Sequence, residues 1–551
     1  MKAATTVRHL VLRPMSVWYN VLLETVKKRG QDGGTETRLW ADRRQRLNPI
    51  AACFNHLLGF RATNLHHKRV CQMLQDADAL PQLIGDFKPI DQWQTHLNRL
   101  FYGLRGDCLR SYYQTFASAD YRLAHALAAD YYERVIKRDA AAMRQPSTVN
   151  RLTSDDSRLT VMELGPGNGN LAACFLSHLK ALDKQGAVYP RVRYVMVDWE
   201  QPILDGALAH PDLAAHRDRV DIRCGSIEHL AGMAEGSVDR IICNELWNDL
   251  PTKLMAKHEG DIEEEYIRPN VSEALHAKIQ NWSDFVRAFE AKNLEVLKTV
   301  PPFLDDLVWE KEYRKVEWKD VPFRKTITEC LKTIDEHVVL PVNLGAFAVL
   351  KEAQRLLAPD AVGLSAFDAG TADRQVLNDP EKPCYGQFGG QYSFMINFVL
   401  VEAVAKQLGN TRTAIEPQRE FVGRSLNTNV LTLMDLLATH PSAGPTLEPW
   451  EQDRLVLKTI KALNETYESP YQRRFEFPLS TNMPPDERET LGAILRSLKA
   501  NGVPDTVAYL TEEELNAAQQ DLEAIGYDSD AIRMALGAPP SPIEYCHFNC
   551  R

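Results

Sequence analysis

The densest chemistry in this chain begins at Val161-Met-Glu-Leu-Gly-Pro-Gly-Asn-Gly-Asn170, where Glu163 is followed by glycines at 165, 167 and 169. An apolar run feeding such a turn reads as a buried strand that bends sharply into a helix. The glycines supply positive φ and let a ligand approach bare backbone. The following helix presents unpaired N–H groups toward that ligand. The chemistry expected is capture of a nucleotide-like cofactor, with Glu163, Gly165, Gly167 and Gly169 as binding residues.

Three later features fall in the order that such a site needs. The run Arg193-Tyr-Val-Met-Val197 ends in Asp198. An acid at the tip of a second strand accepts hydrogen bonds from ribose hydroxyls. It lies about thirty residues beyond Gly169, against roughly twenty in the usual spacing, and the loop Asp183–Pro190 accounts for the excess. The loop Gly225-Ser226-Ile227 follows a third apolar run. There Ser226 is placed to meet an adenine edge and Ile227 to pack on the base, although ordinary loop chemistry explains the pair nearly as well. The sharpest feature is Asn244-Glu245-Leu-Trp-Asn248-Asp249-Leu-Pro251, a polar cluster directly after the apolar Ile241-Ile-Cys243. Polar groups held at the end of a buried strand must be paired or functional, because burying them unpaired is costly. Asn244 and Glu245 are thus expected at the carboxyl edge of a sheet, beside the cofactor's reactive end. A structural helix N-cap is the alternative role for Asn248 or Asp249.

The elements that position these residues follow from the apolar periodicity. Strands are expected at Leu159–Leu164, Val192–Val197, Val220–Arg223, Arg240–Cys243 and Gly363–Asp368, alternating with helices. That alternation predicts an α/β fold: a Rossmann-like, mostly parallel sheet with helices on both faces. Helical spacing marks residues 1–110, as in Trp93 to Phe101, and again Tyr121 to Ala142. The expected division is a helical N-terminal domain at 1–110, a catalytic domain at 111–430, and a helical C-terminal extension at 431–551 ending in a flexible tail. A charged, partly helical insertion at about 265–335 is expected over the sheet's carboxyl edge, with Trp309–Lys315 as a solvated helix face. Cys546-His547-x-x-Cys550 supplies at most three metal ligands, so it reads as incidental thiols and no metal is expected.

Several of these residues resemble class I S-adenosylmethionine-dependent methyltransferases, whose first motif is the Glu-x-Gly-x-Gly-x-Gly turn. Gly165-Pro-Gly-Asn-Gly-Asn-Leu171 followed by Asn244–Pro251 resembles the MidA family, which includes the mitochondrial complex I assembly-factor methyltransferase. Ser111-Tyr-Tyr-Gln-Thr-Phe-Ala-Ser118-Ala-Asp120 is similar to an upstream segment of that family, and Ser365–Gly370 to one of its strand ends. Gln391–Phe398 and Gln418-Arg-Glu-Phe421 are similar to two later segments, the second a Gln-x-x-Phe. The resemblance runs in order from about residue 111 to 425. It departs at the fourth motif, where the family's aspartate aligns with Asn248 and its alanine with Asp249.

The resemblance implies S-adenosyl-L-methionine as cofactor, held by the residues above with Ser118, Asp120 and Asn244. It implies a protein arginine side chain as acceptor, with Glu245 and then Asp249 holding the guanidinium and Asn244 orienting the methyl-bearing end. A small-molecule O- or N-methyltransferase and a non-catalytic assembly protein remain as alternatives. A nicotinamide dehydrogenase shares the glycine turn but leaves the Asn244–Pro251 run without a role.

Composition is consistent with an enzyme. The chain has 551 residues, 44% hydrophobic and 25% charged, with a net charge of −10. That charge argues against a broad nucleic-acid footprint, and no apolar run approaches a membrane span. Ten cysteines are scattered, several within apolar runs, as expected of reduced thiols in the cytoplasm. The first acidic residue is Glu24, after Lys2, Arg8 and Arg13, which leaves the mitochondrial matrix as the alternative location.

Overall fold

The computed structural model describes residues 82–105, 121–144, 158–388, 390–443, 447–467, 479, 483–499, 509–539 and 541–551. They fall into two compact units. One holds the described residues within 55–113, 127–418 and 542–551, the other those within 114–126 and 419–541. Among the described residues no helix is long and apolar enough to cross a membrane.

The larger unit holds helix α1 (Ile90–Arg105) and takes in most of α2 (Tyr121–Met143). An α/β alternation follows: β1 (Leu159–Leu164), α3 (Asn170–Leu182), β2 (Val192–Asp198), α4 (Gln201–Leu208), β3 (Val220–Cys224) and β4 (Arg240–Asn244). After an insertion containing β5 (Lys253–His258), β6 (Asp261–Val271), β7 (Leu307–Lys315) and β8 (Leu340–Val342), the alternation resumes. It continues with α5 (Leu344–Leu356), β9 (Gly363–Thr371), the hairpin β10 (Tyr385–Phe388) and β11 (Gln391–Phe394), α6 (Phe398–Gln407) and β12 (Thr413–Pro417). Each expected strand of the parallel sheet is present, some a residue or more longer.

The order across the main sheet is β12, the C-terminal strand Glu544–Cys550, β9, β4, β1, β2, β3. From β1 the chain first moves to β2 and β3, then jumps back to β4 and β9 on the other side. This reversal opens a crevice at the carboxyl ends of β1 and β4, where α/β sheets bind ligands. Strands β1 and β4 are buried on both faces, as Met162, Ile241, Ile242 and Cys243 show. Such strands read as continuous apolar runs.

The C-terminal residues form a strand, not the flexible tail expected. Residues 544–550 pair antiparallel with β9 on one side and β12 on the other. Cys546, Phe548 and Cys550 are buried at alternate positions in the main core. Phe548 lies 5.7 Å from the Trp247 ring centroid. The two thiols that looked incidental are core residues.

The insertion also differs from expectation. Although it carries short helices, its frame is an antiparallel sheet in which β6 pairs with β7 from Glu263↔Lys315 to Val271↔Leu307. Trp309–Lys315 is therefore strand. Trp309 is buried, and Lys311 pairs with the buried Glu265 at 3.0 Å. Helix α1 packs its Trp93, Leu97, Leu100 and Phe101 into the same core as Phe285, Phe289, Trp309 and Tyr392. It belongs to the larger unit, not to a separate leader domain.

In the smaller unit, α7 (Gln418–Leu426) leads to β13 (Val430–Thr432), which pairs with β14 (Tyr509–Thr511). Helices around this pair bury Leu431, Leu436, Leu437, Leu463, Leu510 and Leu522 in one core.

A buried polar stitch crosses four strands of the main sheet. Arg240 Nη2 donates to Ser365 Oγ at 2.5 Å, Ser365 Oγ lies 2.8 Å from His547 Nε2, and His547 Nδ1 lies 3.0 Å from Glu416 Oε1. A serine, histidine and glutamate in line resemble a nucleophile triad. Ser365 is fully buried and already accepts from Arg240, so this set is structural. His547→Ala is expected to destabilise the chain by roughly 2–3 kcal/mol, because it removes a fully buried side chain that joins Ser365 to Glu416 and leaves a cavity in the sheet. Thermal unfolding checks this, and an unchanged midpoint refutes it.

Candidate active site

At the glycine turn, Gly165 N–H donates to Val197 O at 2.9 Å, which ties the exit of β1 to β2. Gly167 (φ +51°) faces open space, with nothing within 4 Å of a Cβ built there. Gly169 (φ +81°) has the opposite reason for lacking a side chain. A Cβ there would lie 2.5 Å from the backbone oxygen of Ala207, so only glycine lets α3 start this close to α4. The first turn of α3 holds no acidic residue, so its N–H groups face no local carboxylate.

Glu163 is placed inside the sheet instead of in the turn. It is buried and accepts from Tyr194 Oη at 2.9 Å. Burial pushes its carboxyl up to about 7, against the lowering effect of that hydrogen bond.

Asp198 ends β2 and is buried, with Oδ1 accepting from Glu200 N–H at 3.0 Å. Burial raises it to about 6, while the backbone N–H groups of Glu200 and Trp199 pull it down in part. Gly225 N–H donates to Asp198 O at 2.9 Å, which brings the loop after β3 beside Asp198. Within that loop Ile227 packs against the main core. Ser226 is exposed, and its Oγ accepts from Glu228 N–H at 3.4 Å. Arg99 of α1 stands over Trp199, 5.0 Å from its ring.

The end of β4 is the most constrained segment. Asn244 Oδ1 is buried without a hydrogen-bond partner. Glu245 adopts φ +48°, a strained conformation for a residue with a side chain, and its N–H donates to Phe367 O at 2.7 Å. This bend turns the chain out of the sheet. Tyr545 Oη lies 3.3 Å from Glu245 Oε2. Asp368, fully buried, accepts from Asn248 N–H at 3.1 Å and Ala369 N–H at 2.9 Å. Burial first, and then the neighbouring Glu245, hold its carboxyl well above the usual range.

Helix α1 grips the loop that follows. Gln94 donates to Leu250 O at 2.8 Å and accepts from Thr252 N–H at 2.8 Å. Asn98 donates to Asp249 O at 3.2 Å and accepts from Tyr392 N–H at 2.9 Å. Tyr102 donates to Asp249 Oδ2, and Gln391 Nε2 lies 2.7 and 2.8 Å from the two carboxylate oxygens. Burial raises Asp249 to about 7, moderated by Gln391.

The structure therefore brings together the glycine turn, Asp198, the Gly225–Ile227 loop, Asn244 and Glu245. Leu246 Cδ1 is 3.0 Å from where a Cβ at Gly165 would stand, so the exits of β1 and β4 touch. Asp249 is differently placed from expectation, its oxygens engaged by Tyr102 and Gln391. Ser118 and Asp120 lie outside the described residues. The sequence reading missed Gln94, Asn98, Tyr102, Gln391, Asp368 and Tyr545. Gln94, Asn98 and Tyr102 do follow one another at four-residue spacing on a single helix face. Among the described residues no cluster of His, Cys, Asp and Glu could hold a metal ion.

Residues 144–363 match the family model described as "Putative S-adenosyl-L-methionine-dependent methyltransferase". That span contains the glycine turn, Asp198, Ser226, Ile227 and Asn244–Pro251. Among solved structures, the chain is similar to an uncharacterized protein from Burkholderia thailandensis, with 14% identity, 89% of this chain and 92% of that chain covered, and a TM-score of 0.42. It is also similar to a Burkholderia thailandensis protein of the same superfamily bound to S-adenosyl-homocysteine. There the identity is 13%, coverage 90% and 93%, and the TM-score 0.39. The comparison with curated proteins found no match.

The raised carboxyl of Glu163 has a signed consequence. Its folded value, about 7, lies above the ordinary 4.5. The stability it contributes is complete below about pH 4.5 and is lost as the pH climbs through 7. Glu163→Gln keeps an acceptor for Tyr194 and removes the cost of ionisation. The variant is expected to be more stable than wild type above pH 7, by up to roughly 3 kcal/mol, with the gap closing near pH 4.5. Thermal unfolding at pH 5 and pH 8 checks this, and an equal difference at both pH values contradicts it.

Proposed function

We propose that the chain is an S-adenosylmethionine-dependent methyltransferase, a reading that the family model over residues 144–363 supports, and that it methylates a protein side chain, arginine by resemblance, with Glu245 as the carboxylate that holds the acceptor. The observation that carries this reading is the contact between the exits of β1 and β4. It sets Asn244 and Glu245 directly beside the glycine turn.

The residues present fit the methyl donor. Gly167 leaves its surroundings open, Asp198 offers a carboxylate at the tip of β2, and Asn244 Oδ1 is a buried acceptor without a partner. Gly165, Gly167 and Gly169 with the start of α3 would hold the donor's polar end, Asp198 its ribose, and Ser226 with Ile227 its base. When bound, the donor supplies an activated methyl group on a sulfonium. Because the group is already activated, the chain's contribution is alignment and charge placement.

Glu245 would accept paired hydrogen bonds from the guanidinium and fix the reacting nitrogen in line. Its positive φ turns the chain out of the sheet at that carboxylate. Tyr545 steadies the far oxygen of the same carboxylate. Asp249, engaged by Tyr102 and Gln391, acts as the anchor of the loop, and direct contact with the acceptor falls to Glu245.

Glu245→Gln is expected to keep affinity for S-adenosylhomocysteine within about twofold and to lower methyl transfer by at least about a hundredfold. Transfer of radiolabelled methyl groups to cell-lysate protein reads the second effect. Normal turnover by the variant sinks the assignment, and label appearing only in small molecules sinks the protein acceptor. Asp198→Ala is expected to weaken S-adenosylhomocysteine binding about 10- to 100-fold, the value of one charged hydrogen-bonding partner. Calorimetric titration measures it, and an unchanged affinity removes Asp198 from the site.

A further inference from the structure

Helix α1 touches the main sheet's edge at two places. Its Gln94, Asn98 and Tyr102 hold the loop that leaves β4. Arg99, the residue after Asn98, sets its guanidinium carbon 5.0 Å from the centroid of the Trp199 ring, at the exit of β2. In the sheet, β1 lies between β4 and β2. A helix that contacts the exits of both neighbours crosses the exit of β1, which is the glycine turn. The span is two strand spacings, about 10 Å at ~4.8 Å each. Helix α1 is therefore the roof of the crevice in which the methyl donor is placed.

Under the Arg99 side of that roof, two segments leave the sheet together. Asp198 and Cys224 are the last paired residues of β2 and β3. Beyond them, Gly225 N–H donates to Asp198 O at 2.9 Å, and Cys224 Sγ lies 3.3 Å from Trp199 O. Trp199 directly follows the carboxylate assigned to the ribose. It is 38% exposed, one of the few large hydrophobic residues left at the surface among the described residues. Glu228, half-buried, comes one residue after Ile227. Burial raises its carboxyl, and the nearby Arg99 cation pulls it back in part. One guanidinium thus acts on a ring at the β2 exit and on a carboxylate in the loop after β3. Its planar shape allows both, because it can lie on an aromatic face and still present N–H groups at its edge. Arg99 itself is exposed, and α1 is already anchored in a core by Trp93, Leu97, Leu100 and Phe101. Holding the fold together therefore does not account for this contact.

We propose that Arg99 retains the methyl donor: by joining α1 to Trp199 it closes the crevice over the donor's nucleoside, and its release opens the path by which the spent donor leaves. This rests on the placement of the donor at the glycine turn, Asp198 and the Gly225–Ile227 loop. A closed roof keeps water from the sulfonium and holds the donor still while the acceptor is aligned at Glu245.

Dissociation of S-adenosylhomocysteine from the immobilised full chain, followed by surface plasmon resonance, tests this. Arg99→Ala is expected to raise the dissociation rate about fivefold, the value of one partly exposed cation–π contact. Arg99→Lys, which keeps the cation, is expected to stay within about twofold of wild type. In a Trp199→Leu background, where the ring is gone, Arg99→Ala is expected to change the rate by less than about twofold. Because Arg99 is exposed, its variants are expected to unfold within about 2 °C of wild type. An unchanged rate in Arg99→Ala, an Arg99→Lys as fast as Arg99→Ala, a full effect in the Trp199→Leu background, or a larger fall in the unfolding midpoint overturns the proposal. Asp198→Ala, measured alongside, separates the two readings. If it weakens S-adenosylhomocysteine binding while Arg99→Ala leaves the rate unchanged, the donor site stands and the retaining role falls. If neither variant has an effect, the donor site itself falls.

Discussion

The chain must leave β4 at a place where backbone groups have no ladder partner and little water to replace one, and the rest of the site depends on how that exit is satisfied. Glu245 turns with positive φ and gives its N–H to Phe367. Asn248 gives its N–H to Asp368, Asp249 its carbonyl to Asn98, and Leu250 and Thr252 theirs to the two ends of the Gln94 amide. Each unmade bond in such a segment costs the desolvation of a polar group. The loop therefore has few alternative conformations, and the strained Glu245 is held by its surroundings. Pre-organisation of this kind is what an enzyme needs when its task is alignment.

The electrostatics of the same region follow from burial. Glu163, Asp198, Asp249 and Asp368 all have carboxyls raised above their ordinary values, with desolvation the largest cause in each. Neutral donors such as Tyr194, Gln391 and backbone N–H groups lower them only in part. A set of acids kept from full ionisation by their surroundings favours a cation entering among them, because the cation compensates the charge that burial disfavours. That preference fits the proposed sulfonium donor.

Much of the central sheet was legible in the residues. Strands β1, β2, β3, β4 and β9 announce themselves as short apolar runs because they are buried on both faces. The glycine turn was legible because the close approach to Ala207 at Gly169 and the positive φ at Gly165 and Gly167 favour glycine. The C-terminal strand was not, since its seven residues lie more than a hundred beyond β12 and its partners are set by tertiary pairing. The insertion was misread because Trp309–Lys315 sets two aromatic residues four apart among charged ones, a pattern that serves a solvated helix and an edge strand alike until its partner β6 is known.

The sequence by itself determined the order of the α/β units, the turn that bends β1 into α3, and the positions of Asp198, Asn244 and Glu245 at strand ends. These follow from local periodicity and from glycines that no other residue can replace. Only the tertiary structure decided which side chains remain available at the edge. Asp249 is engaged by Tyr102 and Gln391, which lie 147 and 142 residues away. Hydrogen bonds between distant segments are created by the fold, and periodicity within a segment carries no record of them.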